Sequence, residues 1–250
     1  MTFTLFDLAL LFGAGIACGW INVVAGGGSA FTVPVMLFLG MPGPVANGTN
    51  RIAIIAQSVA AVAEFRRKGF SDLRLSASLG AVASVGALIG AGFGVRLSGE
   101  WFDRVLALVL VGVAILMATG ADKPPAGPAA ARPRNLALGH ALMFGAGIYG
   151  GFIQVGVGFL MMPILYRVMG LDLVRVNMHK VFITLMFSVV ALAVFAVKVE
   201  IAWTAGAALA AGNMIGGWAG ARSTILRGAR FVKYAVFLAI AALAIKLAFF

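Results

Sequence analysis

Two short polar stretches interrupt an otherwise greasy chain, and their residue types are those that bind anions. The first runs Gly26-Gly27-Gly28-Ser29. Three glycines favour an unwound backbone, and Ser29 is suited to cap the helix expected to start there. Bare N–H groups and the positive end of a helix dipole at such a start attract negative charge without any cationic side chain. Gly156-Val157-Gly158 repeats the device later in the chain. The competing use of these glycines is to let helices approach closely.

The second stretch is Asn47-Gly48-Thr49-Asn50-Arg51, echoed by Asn177-Met178-His179-Lys180. Both are expected at the mouth of a helix, where amides and hydroxyls serve either as caps or as ligands. The second copy puts His179 and Lys180 where the first has Thr49 and Asn50. Such divergence suits a site shared unequally by two halves, with an ammonium supplying point charge and donors. Arg51 is readable as an interfacial anchor or an anion clamp. Gln57, with Ser58, falls about two turns into a helix beginning at Arg51, and Gln154 lies beside the second glycine break. Buried polar groups of this kind are either glue between membrane helices or the lining of a path.

The elements that position these residues follow from composition. Of 250 residues, 62% are hydrophobic and 11% charged, and the mean hydropathy is +1.05. A soluble domain is nearer 45–50% apolar and about 25% charged. Lipid must therefore solvate much of the chain, and long unbroken apolar runs select helices over a barrel. The fold class is all-α, a polytopic membrane protein. Nineteen Lys and Arg against eight Asp and Glu leave a net charge of +11. These cations cluster between apolar runs, at Arg66-Arg67-Lys68, Arg132/Arg134 and Arg222 to Lys233, as membrane orientation and anionic lipid require. That distribution argues against nucleic acid as a partner.

Apolar segments cover about 5–25, 29–40, 51–65, 73–95, 101–119, 136–155, 158–170, 178–197, 201–221 and 231–249. Segments 29–40 and 158–170 fall short of the roughly 20 residues a crossing needs, so they are expected as half-helices or re-entrant elements. An offset of 130 (156 less 26) lays Gly26 and Gly28 on Gly156 and Gly158, Asn47 on Asn177, Phe65 on Phe195, Lys68 on Lys198, and Gly86 and Gly90 on Gly216 and Gly220. The expected organisation is a first repeat over 1–119, a Pro/Gly/Ala-rich linker over 120–135, and a second repeat over 136–250. Loop 66–74 is basic while its counterpart near Lys198 and Glu200 is neutral. Matching loops thus prefer opposite sides, so the two repeats, of about five helical segments each, are expected to be inverted.

Gly86, Gly90 and Gly94, and again Gly212, Gly216 and Gly220, recur every four residues and predict tight helix packing. Enzymatic chemistry finds no support: His140 and His179 lack metal-ligand spacing, and no nucleophile stands with a base. No cofactor is expected, and Cys18, the one cysteine, reads as a core residue.

The glycine cluster with Ser29, Val33-Pro34, Leu39-Gly40, Pro42 and Gly48-Thr49-Asn50 resembles the TauE/SafE family of sulfite and organosulfur exporters. Gly156-Val157-Gly158, Pro163, Gly170 and Lys180 are similar to that family's second repeat, though less glycine-rich. The resemblance spans nearly the whole chain and implies a secondary transporter, an exporter of sulfite, a sulfonate or a related small anion. The expected setting is a bacterial inner membrane, with alternating access and substrate held between the glycine breaks. A proton or sodium as coupling ion and a homodimer are compatible with it. Sulfite titrates near neutral pH, and His179 is the natural group to titrate with it. A passive anion channel and a non-transporting membrane scaffold or sensor are the alternatives.

Overall fold

The computed structural model of the chain describes residues 2–96, 101, 104–105, 108 and 133–249. Among them every regular element is helical: α1 Leu5–Val24, α2 Ser29–Phe38, α3 Gly43–Arg67, α4 Leu73–Gly94, α5 Leu136–Phe152, α6 Val157–Pro163 with a π-helical extension Ile164–Val168, α7 Leu173–Lys198 and α8 Trp203–Phe249. Most of the expected segment 101–119 and most of the linker fall outside the described residues. Helices α1, α4 and α7 are each long and apolar enough to cross a bilayer, while α2, α5 and α6 are shorter apolar helices. This is a polytopic all-α membrane protein.

Local chemistry explains the helix starts. Thr4 and Asp7 form a reciprocal capping box ahead of α1. Asp72 accepts the Leu75 amide at the start of α4, and Asp172 accepts those of Val174 and Arg175 at the start of α7. The Asp172 cap moves the beginning of α7 to Leu173, earlier than the apolar pattern predicts. Helix α3 likewise begins at Gly43, with Pro44 in its first turn, where the missing N–H has no cost. Asn47 to Arg51 therefore lie inside α3 rather than at its mouth, and Asn177 to Lys180 lie inside α7. Gln57 and Ser58 sit nearly four turns into α3, not two. The last two apolar segments join as α8, bent at Gly228, whose φ is 68°.

Packing is close where glycines line up. A Cβ on Gly86, Gly90 or Gly94 of α4 would strike the α5 backbone between Phe144 and Phe152. A Cβ on Gly212 or Gly216 of α8 would strike the α1 backbone at Phe12 and Ile16, and one on Gly220 would crowd Trp20. So α1 lies against α8, and α5 against α4. Between these pairs α3 and α7 pack together and run in opposite directions. Gly48, near the start of α3, abuts Phe195 near the end of α7, whereas Phe65, near the end of α3, shares a buried cluster with Met178 near the start of α7. Val85, Leu88, Ile89 and Phe93 leave one face of α4 apolar and exposed, which suits lipid.

Candidate functional site

Both glycine stretches break a helix. Helix α1 stops at Val24 and α2 begins at Ser29, with Gly26 at φ 94°. Helix α5 stops at Phe152 and α6 begins at Val157, with Gly156 at φ 70° and Gln154 at φ 61°. Positive φ is natural for glycine and strained for glutamine, so neighbours must hold Gln154 there. The cap of α2 is Gly28 rather than Ser29. Gly28 already has helical angles, which makes Ser29 the first helical residue, and its hydroxyl caps nothing. The breaks touch. A Cβ on Gly26 would lie 2.7 Å from the Gly158 carbonyl carbon, and one on Gly158 would lie 2.9 Å from that of Gly26. No side chain fits between them.

Each break leaves the last carbonyls of a helix without intrahelical partners. A cation from the opposite half of the chain supplies the donors. Arg51 of α3 is fully buried, and its Nη1 donates to Gly150 O at 3.1 Å and Gln154 Oε1 at 2.7 Å. Its Nη2 donates to Gly151 O at 2.5 Å and, more weakly, to Asn47 Oδ1 at 3.5 Å. Asn47 Nδ2 donates to Phe152 O at 2.8 Å. The guanidinium carbon also stands 4.5 Å from the centre of the Phe195 ring. This fork of donors closes the end of α5 and explains how Gln154 keeps its strained angle.

The end of α1 is closed from α7. Lys180 Nζ donates to Val23 O at 2.8 Å and Asn177 Oδ1 at 2.7 Å, and Asn177 Nδ2 donates to Val24 O at 3.0 Å. Positive charge at the negative end of a helix dipole is favourable, and low dielectric strengthens it. No buried acid neutralises either cation among the described residues: the buried carboxylate Glu64 pairs with Arg67 at 2.7 Å.

Beside the breaks lies a small polar cavity, about 10 Å3, with room for roughly one water. Asn22 of α1, Ser29 of α2, Gln57 and Ser58 of α3, Gln154 and Gly158 of the second break, and Lys180 and Thr184 of α7 line it. Gln57 Oε1 and Ser58 Oγ are buried without a hydrogen-bond partner. Unsatisfied polar atoms are costly in a dry interior and mark a place where a guest completes the bonding. Ser29 N–H, at the start of α2, also faces no backbone acceptor among the described residues.

Of the residues singled out from sequence, Ser29, Gln57, Gln154, Gly158 and Lys180 come together around the cavity. Gly26, Gly27, Gly28 and Gly156 shape the breaks, and Arg51, Asn47 and Asn177 brace them. Three lie elsewhere. Thr49 Oγ1 accepts from Ala202 N, and Asn50 Oδ1 accepts from Thr32 Oγ1. His179 Nδ1 meets Ser76 Oγ of α4 at 2.8 Å, on another face of α7. Sequence reading passed over Asn22, Thr184 and Ser188, the last of which accepts from Gln154 Nε2 at 3.0 Å. Ser188 was findable, because the 130-residue offset lays Ser58 on it. Among the described residues no cluster of His, Cys, Asp and Glu is suited to hold a metal.

Membrane-spanning helices broken at facing glycines, beside a small polar cavity, define the class: a helical membrane transporter. Comparison with known proteins agrees. The family model described as sulfite exporter TauE/SafE matches residues 11–247, and the chain belongs to that family. It is 27% identical to the probable membrane transporter protein ORF9 of a Sinorhizobium species, over 96% of this chain and 92% of the relative. It is 25% identical to a probable membrane transporter protein of Haemophilus influenzae, over 90% and 88% of the two chains. It is 24% identical to the probable membrane transporter protein YfcA of Escherichia coli K12, over 96% and 89%. No solved structure matches the chain.

Proposed function

We propose that this chain is a secondary transporter, an exporter, of a small anion such as sulfite, a sulfonate or a related organosulfur compound, working by alternating access between two inverted repeats. One observation carries the reading: the cavity beside the breaks is lined by Lys180 together with Gln57 and Ser58, each of which holds a buried polar atom without a partner, and by no acid. An entering oxyanion accepts from Lys180, Ser29 and Ser58, and from the Gln57 amide turned to present Nε2. A cation there would meet the ammonium instead. Membership of a family described as sulfite exporters supports the substrate class.

The antiparallel course of α3 and α7 supports inversion of the repeats, as does the reciprocal packing of α1 on α8 and α5 on α4. A cavity of one water's size is too small for sulfite. It must dilate to admit substrate, and its size disfavours a standing pore. We place the protein in a bacterial inner membrane, with a proton or sodium gradient as coupling force and a homodimer as a compatible assembly.

Reconstitution in liposomes tests this. The wild type should carry sulfite saturably and respond to an imposed pH or sodium gradient, and K180Q should lose at least tenfold in flux. Linear, uncoupled flux identifies a channel. No flux of sulfite or methanesulfonate, or full flux in K180Q, overturns the proposal.

A further inference from the structure

The two buried cations close equivalent helix ends, yet they do so unequally. Arg51 has four oxygen acceptors and a ring beneath it, and it does not line the cavity. Lys180 has two acceptors, Val23 O and Asn177 Oδ1, and it does line the cavity. An ammonium has three protons on a flexible stem, whereas a guanidinium is a rigid fork whose bonds break together or not at all. An oxyanion in the cavity therefore competes with Val23 O for the protons of Lys180. Against Arg51 it has no direct approach.

We infer that Lys180 is a substrate-operated latch: anion binding draws its ammonium from the end of α1 and frees the first break, while Arg51 keeps the second break fixed. Arg51 is thus a positioning residue, acting through Gln154, which lines the cavity and accepts one of its bonds. Lys180 touches the anion itself. The inference rests on the transporter reading and adds the step by which occupancy reaches the backbone. Charge is conserved throughout, since the anion replaces a carbonyl as acceptor and no proton leaves the lysine. Asn177 Nδ2, still bonded to Val24 O at 3.0 Å, limits the release to fraying of the last turn.

Hydrogen exchange of the full-length protein in lipid nanodiscs, read by mass spectrometry with and without sulfite, tests the latch. Amides of residues 19–26 should exchange at least about tenfold faster with saturating sulfite, as expected when a charged hydrogen bond to a helix end is given up. Amides of residues 147–153 should not change. K180Q should exchange fast at 19–26 with or without sulfite, and K180R should restore slow exchange without it. R51K should loosen 147–153 and leave the sulfite response at 19–26 in place. A cap with a structural role alone gives no sulfite response in the wild type, and that result overturns the latch. Liposome flux measured in parallel separates the two ideas. Flux with no change at 19–26 removes the latch alone, and no sulfite flux removes both.

Discussion

Replacing Gly158 by alanine adds one methyl where the two breaks meet. Its Cβ would lie 2.9 Å from the Gly26 carbonyl carbon and 2.5 Å from the Gly26 oxygen. The Gly26 Cα lies closer still, and carbon atoms rest comfortably at about 3.5 Å or more, so the breaks must part by roughly 1 Å. Both sides of the contact are backbone, and no flexible side chain can move aside. Overpacking of this kind costs about 1–3 kcal/mol. Gly92 of α4 is the control, because a Cβ there meets nothing within 4 Å. G92A should be neutral or gain up to about 1 kcal/mol from helix propensity. The assay is thermal unfolding in nanodiscs, paired with sulfite flux. At roughly 2–4 °C per kcal/mol, G158A should unfold about 2–12 °C lower, and its turnover should fall. Equal melting temperatures and equal flux for G158A and G92A would refute the close approach of the breaks.

Three further outcomes are expected. S58A removes a hydroxyl that has no partner, so its unfolding temperature should not fall below that of the wild type, while the KM for sulfite rises several-fold. D72A deletes the side-chain acceptor of the Leu75 amide and should cost about 1 kcal/mol, read by thermal unfolding, with flux per folded molecule unchanged. H179Q should leave the pH profile of flux as it is, because His179 bonds to Ser76 away from the cavity; a shifted profile would return the histidine to a proton-coupling role.

What the sequence made legible, and what it hid, follows from how far each signal reaches along the chain. Helix breaks at Gly26 and Gly156 were legible because glycine is the residue that adopts positive φ at little cost, and two copies 130 residues apart are not accidental. The packing glycines of α4 and α8 declared themselves by four-residue spacing. Helix starts were harder. Pro42 to Pro44 and Asp172 fall outside the apolar segments, yet proline in a first turn and an aspartate cap are ways for a helix to begin. Thr49 and Asn50 looked like ligands by type, but they hold the α7–α8 loop and α2. The bracing roles of Arg51 and Lys180 left no local trace. Arg51 reaches an acceptor 99 residues away and Lys180 one 157 residues away, and no window on the sequence joins them.

Those long reaches bear on biogenesis. As the nascent chain leaves the ribosome, α1 enters the bilayer with its last carbonyls bare, and the lysine that answers them is made some 157 residues later. Until then that end must borrow partners from water, lipid headgroups or the insertion machinery. The amino-terminal portion produced alone should be a substrate for membrane proteases, and its lifetime should recover when the carboxy-terminal portion is supplied in the same cell.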